Sequence, residues 1–581
     1  MATGHEGEKT TDLKHLGPGE GSKVEHIKLE SQHLRGKISE QLQAEGPRFT
    51  EDQTQLIKFH GIYQQEDRDA RQQRKAAHTE KAYQFMVRSR IPGGALTAEQ
   101  YLTQDEISEQ YANGTLRITT RQSLQLHGIL KGDLKSSIAA INQSLLSTLA
   151  ACGDVNRNVM ACPAPISNRA QARVQEIAHA IAMRLAPRST AYHEIWIDGE
   201  KVETIADEKE VEPIYGATYL PRKFKIGVAF PGDNCIDIYT QDVGLIARLE
   251  GEQLAGFTLV IGGGMGMTHG KSETYPRLAE PLCDVTPDEA LNVVETIMTV
   301  QRDYGDRTNR KHARMKYVVE ERGIDWFRQQ VEERLGYQLQ AASPVHIHAA
   351  EDHLGWHQQA NGNWFLGLHV QNGRIHDKEG LRLKSGLREV IKRYRPELRL
   401  TAQQNIMLLD IQEADRVEIE AQLHSYGIET DPTKVGHYRF AMACPALPTC
   451  GLALAEAERA LPDIVQALEE PLRALGLDGE PLSMRMTGCP NGCARPYMGD
   501  IGFVGRSKNL YNIYVGGDLL NTRMNTLYAA SVHTEDLVAA IEPLLAFWKA
   551  ERHPQEGFGD FCHRVGIERL RDEAASPSLL H

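Results

Sequence analysis

A chain of 581 residues, 41% hydrophobic and 25% charged, has enough apolar material for several soluble domains, and none of its apolar runs approaches the ~18 residues of a membrane span. A formal charge of −13 argues against nucleic acid and anionic membrane as partners, so an anionic substrate has to be drawn in by a local basic cluster against the overall field. The 9 cysteines form no even framework, and the amino terminus lacks the apolar core of a secretory signal, which together predict a reduced, cytoplasmic protein.

Residues 1–48 read as a mobile arm carrying one short amphipathic segment at 27–38, with docking of a partner protein as the second reading. Folded structure is expected from Phe49. Residues 56–65 form an extended run before a densely charged helix, and residues 85–91 alternate in the manner of a strand up to the turn signal Pro92-Gly93-Gly94. Thr97 starts a helix that runs to about Tyr111, and a strand over 116–128 follows Asn113-Gly114. On that strand Arg117, Thr119, Arg121, Gln125 and His127 share one face, while Leu116, Ile118, Leu124 and Leu126 bury the other, so the polar set lines a cavity.

Further cations follow along the chain. Arg88 and Arg157 stand alone, Lys223 and Lys225 share a face of Pro221-Arg222-Lys223-Phe224-Lys225, and the basic stretch 306–316 reads as a helix. Gly262-Gly263-Gly264-Met265-Gly266 completes neither G-x-G-x-x-G nor a phosphate loop and is expected to be a tight turn after a buried strand. The sequence offers no flavin or nicotinamide fingerprint.

An internal repeat organises these pieces. Residues 116–129 align with 398–411 at an offset of 282, and at the same offset Met160-Ala161-Cys162-Pro163 falls on Met442-Ala443-Cys444-Pro445. A looser echo relates 257–264 to 511–518. The predicted fold class is mixed α/β (α+β), duplicated about a pseudo-two-fold axis.

Four cysteines close the series: Cys444, Cys450, Cys489 and Cys493, spaced C-x5-C, then 38 residues, then C-x3-C. Thiolates at short spacing hold iron–sulfur clusters or structural zinc. Gly451, Gly488 and Gly492 would let the backbone approach a bulky inorganic core, and Pro445 and Pro490 fix the turns. Zinc pairs usually stand at C-x2-4-C, so the first pair fits zinc poorly; zinc and four unrelated core thiols are the alternatives to iron–sulfur. In the first repeat Cys162 takes the place of Cys444 but Asn168 that of Cys450, which confines the cluster to the second half. Cys152, Cys162, Cys235, Cys283 and Cys562 read as structural thiols without partners.

This cysteine pattern, together with the basic strand, Asn156-Arg157-Asn158-Val159, Pro221 to Lys225 and the Gly-Phe-Gly-Asp-Phe sequence ending at Phe561, resembles the siroheme-containing sulfite and nitrite reductases. The resemblance runs from about Ile27 to Phe561. It implies a ferredoxin-like half-domain at 49–152, an α/β siroheme and substrate domain at 153–354, a second ferredoxin-like half-domain at 355–431 and an α/β domain at 432–581, with the cofactors at the domain junction. It further implies that Cys444, Cys450, Cys489 and Cys493 hold a [4Fe–4S] cluster and that Cys493 is also the axial ligand of the siroheme iron.

Siroheme would be held by Arg117, Arg121, Gln125, His127, Arg222, Arg314 and Asn491, with Arg314 standing where the family carries lysine, a change that keeps charge and alters geometry. Arg88, Arg157, Lys223 and Lys225 would surround the substrate. The implied activity is the six-electron reduction of sulfite to sulfide, with electrons from a separate NADPH-oxidising flavoprotein. A ferredoxin-dependent sulfite or nitrite reductase is the alternative, with the sequence around His127 favouring sulfite. A non-catalytic iron–sulfur carrier and a zinc-stabilised binding protein stand further off.

Overall fold

The computed structural model describes residues 21–165, 168–189, 191, 196–197, 200–201 and 212–574, so residues 1–20 of the expected arm lie outside the described part. Four five-stranded sheets organise it, in two matched pairs.

The alternation at 116–129 is met by a hairpin and not by one strand. Leu116–Ile118 and Leu124–Ile129 pair antiparallel, with Arg117 opposite Gln125 and Leu116 opposite Leu126. Thr119 N–H closes the turn on Ser123 O at 2.8 Å, with Gln122 at φ 52°. The repeat does the same: Glu397–Leu400 pairs with Ile406–Ile411, Thr401 N–H reaches Asn405 O at 2.9 Å, and Gln404 takes φ 70°. Residues opposite one another in a hairpin share a face, so an alternating pattern passes through the turn without revealing it.

Each hairpin sits in its own sheet. The first has the order Ile62–Glu66, Tyr83–Arg88, Leu124–Ile129, Leu116–Ile118, Arg374–Ile375, and the second the order Gly355–Gln358, Trp364–Leu368, Ile406–Ile411, Glu397–Leu400, Ala95–Leu96. The edge strand of each comes from the other half: Arg374 lies opposite Arg117, and Leu96 opposite Leu398. The two sheets accordingly share one core, in which Leu116, Leu126 and Ile129 are buried in the same cluster as Leu366, Leu398 and Leu408. Thr97 caps the helix Ala98–Gln110 through a reciprocal pair of bonds with Gln100, as its sequence predicts. Residues 56–65 differ from expectation, because a helix occupies Glu51–Leu56 and the strand begins only at Ile62.

The other two sheets repeat one topology. Met160–Ala161, Ile226–Ala229 and Val243–Glu250 run parallel, then Gln253–Ile261 and Glu280–Val285 return antiparallel. Ala441–Ala443, Met484–Thr487, Ile501–Ser507, Leu510–Val515 and Thr526–His533 follow the same order and the same senses. Ile226–Ala229 and Met484–Thr487 are buried throughout, as central parallel strands covered on both faces must be.

The described part of the expected arm is folded against the body. Lys23–Leu29 is a helix, Glu25 and Lys28 are buried, and Leu34 belongs to the core of the first α/β domain. Lys28 Nζ donates to Glu25 Oε1 at 2.5 Å and to Leu220 O at 2.8 Å, and Arg307 Nη1 donates to Glu25 Oε2 at 2.5 Å. A segment whose charges neutralise one another in the interior looks like a solvated tail in sequence. Among the described residues no helix is long and apolar enough to cross a membrane.

Candidate functional site

The four expected cysteines come together at the ends of the parallel strands of the second α/β sheet. Cys444 follows Ala441–Ala443, and Cys489 and Cys493 follow Met484–Thr487. Gly488 shows why glycine is needed here: its carbonyl accepts from Leu454 and Ala455, and a Cβ would stand 2.4 Å from Ala455 O. Gly451, expected to serve the same purpose, has open space where its Cβ would be.

Three of the four thiols are perturbed by their surroundings. Burial, followed by the neighbouring Cys493, pushes Cys444 and Cys450 up and Cys489 to about 12. Thiols that oppose one another's ionisation are a donor set that a cation among them would stabilise. Cys444 Sγ accepts from Gly488 N–H at 3.4 Å, and Asn491 Nδ2 donates to Cys489 Sγ at the same distance. Cys493 is the exposed member of the four.

The cation-bearing hairpin turn reaches the residue of the exposed thiol, where Thr120 Oγ1 donates to Cys493 O at 2.9 Å. Lys223 and Lys225 flank Phe224, whose backbone is clamped by Val155 O and Arg157 N–H, so both amines project to the same side. Burial first, then Arg222 and Arg314, draw the Lys223 amine down to about 7, against a raising contribution from Cys493. Lys225 falls well below the usual lysine range through burial and the nearby Arg121 and Lys223. Arg121 stands in the hairpin turn, bonded to Gln241 Oε1 at 2.7 Å and Asn158 O at 2.6 Å, and burial with Arg157 beside it lowers it to about 9.

Arg88 donates to Cys152 Sγ at 3.1 Å, and with the Gln125 amide turned so that its oxygen faces the guanidinium, that oxygen accepts from Nη2 at 2.5 Å and Nε at 3.2 Å. Arg157 is anchored on Gly153 O at 2.6 Å. His127 is buried with both ring nitrogens unpartnered, and burial with Arg374 and Arg117 nearby holds it neutral, well below the ordinary range.

Other expected residues are placed differently. Arg117 turns toward the cysteine loop, donating to Glu458 Oε2 and to Ala443 O, both at 2.9 Å. Arg222 keeps 31% of its side chain exposed, 3.8 Å from Asp154. Arg314 forks onto buried Asp242 at 2.8 and 3.0 Å. The basic stretch around it is not the expected helix, because Asp306 Oδ1 captures the N–H groups of Thr308 and Asn309 and the helix begins only at Met315. Gly262, at φ 86°, turns the chain after its strand as expected, and Met267 N–H then reaches Pro490 O at 2.9 Å, which joins the glycine turn to the cysteine loop.

Sequence reasoning missed the anions that hold these cations. Asp242 serves Arg314 and the Lys225 N–H, Asp154 serves Arg310 and Lys28, and Glu458 serves Arg117 and Arg374. Nothing but the position of Asp242, directly before an apolar strand, signalled them. Cys152 was also missed; it accepts from Arg88 Nη1 at 3.1 Å. Cys162 and Cys235 are not isolated, for their sulfurs stand 3.0 Å apart.

The chain is similar to known proteins along nearly its whole length. Residues 176–339 and 437–579 match the family model described as the nitrite and sulphite reductase 4Fe-4S domain, and residues 78–144 and 357–426 match the nitrite/sulfite reductase ferredoxin-like half domain. The chain is 47% identical over 554 residues to the sulfite reductase [NADPH] hemoprotein beta-component of Staphylococcus saprophyticus, covering 94% of this chain and 96% of that protein. It is 48% identical over 547 residues to the protein of that name from Myxococcus xanthus, with the same coverage. The solved structure of the Mycobacterium tuberculosis NirA protein shares the fold, with a TM-score of 0.76 at 24% identity over 94% of this chain and 97% of that one. Twice-matched family models, a duplicated fold and close relatives along nearly the whole length agree: the chain belongs to the nitrite and sulphite reductase family.

Proposed function

We propose that this chain is the hemoprotein component of an assimilatory sulfite reductase, with a [4Fe–4S] cluster on Cys444, Cys450, Cys489 and Cys493 and a siroheme whose iron shares Cys493. The observation that carries this reading is the junction of the cation-bearing hairpin turn with the cysteine loop, where Thr120 Oγ1, next to Arg121, donates to Cys493 O at 2.9 Å. The residues fit a buried polycarboxylate macrocycle: His127 has two unpartnered nitrogens, Arg121 an unpartnered Nε, and Asn156 an unpartnered amide.

When bound, siroheme and cluster supply a sulfur-binding iron and single electrons in sequence, which no side chain offers. The protein supplies charge and protons. Arg88 and Arg157 supply guanidinium groups that neutralise the oxyanion. Lys223, drawn to about 7, can pass an Nζ proton to a departing oxygen near neutral pH and regain it from solvent. Lys225 adds a second amine on the same side, and Asp242 fixes both its backbone, at 2.9 Å, and the Arg314 fork.

The names of the relatives support NADPH as the ultimate reductant, reached through a separate flavoprotein. The paired thiols favour a reducing, cytoplasmic setting. The purified protein should show siroheme bands with a cluster shoulder, and should reduce sulfite with reduced methyl viologen while oxidising NADPH only after a flavoprotein is added. A cluster shoulder alone, or a colourless protein, overturns the reading. Parallel assays with nitrite and with reduced ferredoxin decide substrate and donor.

A further inference from the structure

The first α/β domain carries a second set of metal-type donors, at the place in the repeat that corresponds to Cys444. Cys162 follows the strand Met160–Ala161, and Asp233 and Cys235 lie in the loop after its parallel neighbour Ile226–Ala229. The two sulfurs are 3.0 Å apart, and one ligand atom from each of Cys162, Asp233 and Cys235 lies within 4.8 Å of the others. Both cysteines are buried.

The surroundings are built as a metal site requires. Phe230 N–H donates to Cys162 Sγ at 3.1 Å, a bond that stabilises sulfur in its anionic form. Asp233 Oδ1 is fixed by Cys235 N–H at 3.0 Å and Glu351 N–H at 3.1 Å. Its Oδ2 lies 3.3 Å from His353 Nε2, which makes no hydrogen bond although His353 is only 4% exposed. The loop is pinned from the far side as well, where His348 and Ala349 N–H both reach Gly232 O at 3.0 Å.

We propose that Cys162, Cys235 and Asp233 bind a divalent cation of the zinc class, with His353 orienting Asp233 from behind, at a site separate from the four-cysteine centre. Zinc takes thiolate sulfur at ~2.3 Å and carboxylate oxygen at ~2.0–2.2 Å, so its donors stand a little under 4 Å apart, a spacing these side chains reach by small rotations about Cα–Cβ. The histidine-on-carboxylate contact is the usual outer-shell device for holding a ligand in place. The ion would stiffen the loop leading to Asp237, which receives Arg485 at 2.7 Å and Arg495 from the second α/β domain, and would thereby brace the segment that ends beside Cys493.

The test uses the protein purified with its iron, incubated with zinc chloride, desalted and assayed for zinc and iron by mass spectrometry. About one zinc per chain is expected. Cys235→Ser and Asp233→Asn should remove it, and His353→Ala should weaken it about ten- to a hundredfold, with iron per chain unchanged in all three. Should Cys235→Ser fail to fold, the other two variants decide. No retained zinc, or equal zinc in the variants, overturns the proposal. So does a Cys162–Cys235 cross-linked peptide in a digest of the thiol-blocked, unreduced protein, which would assign the two sulfurs to a disulfide.

Discussion

Replacing Glu458 with glutamine should loosen the joint between the cysteine loop and both ferredoxin-like halves. Glu458 Oε2 accepts from Arg117 Nε at 2.9 Å and Arg374 Nη2 at 3.0 Å, and Oε1 from Arg374 Nε at 2.6 Å. Its own N–H donates to Cys444 O at 3.1 Å, so this one residue links two guanidinium groups to the first cysteine of the centre. Burial raises the carboxyl, but Arg117 and Arg374 outweigh it and pull the group from 4.5 to about 2. At ~1.4 kcal/mol per tenfold that is about 3 kcal/mol, and breaking a buried pair by removing one partner costs about 3–5 kcal/mol by independent measure. Because the folded carboxyl ionises more readily than the unfolded one, this contribution is complete above about pH 4.5 and is lost as pH falls toward 2. At neutral pH, Glu458→Gln should therefore speed hydrogen exchange of the amides around Cys444 by about two orders of magnitude. A change of less than about threefold would refute the assignment of Glu458 as the joint.

Cys444→Ser, Cys450→Ser and Cys489→Ser should each abolish the electron paramagnetic resonance signal of the reduced cluster together with sulfite turnover, whereas Cys162→Ser should leave that signal intact. Lys223→Met or Lys225→Met should lower sulfite turnover by about 10²–10⁴-fold with the visible spectrum preserved. Lys223 is drawn to about 7 and is cationic below that value, so sulfite affinity should weaken as pH rises through neutrality; spectral titration of Lys223→Met should lose that part of the pH dependence. Deleting residues 1–48 should depress the viologen-driven rate as well as the NADPH-coupled rate, because it strips Glu25 from buried Arg307 and removes Leu34 from the core.

The repeat and the cysteine spacing were legible because each is written in contiguous residues. The offset of 282 between the hairpins reappears in their turns, Thr119 with Ser123 and Thr401 with Asn405. The cations were legible because an alternating strand assigns them a face. Their partners were not, since Arg117 meets Glu458 and Arg121 meets Gln241 across long stretches of chain, and no local pattern marks such pairs. The helix Lys23–Leu29 was hidden for the opposite reason: its charges are buried as a neutralised set, while composition registers only polarity. Cys162 and Cys235 belong to adjacent parallel strands and the loops that follow them, so only the sheet register brings them together.

The exchange of edge strands between the two ferredoxin-like sheets has a consequence for how the chain folds. Ala95–Leu96 is made early and waits for Glu397–Leu400, while Leu116–Ile118 waits for Arg374–Ile375, so neither sheet is complete until most of the chain exists. Such long-range closure is slow and leaves an unpaired sheet edge exposed in the interval. An amino-terminal fragment ending before Arg374 would carry that open edge permanently and is expected to pair with a second copy of itself, giving a dimer with the shape that the duplicated chain encloses within one molecule.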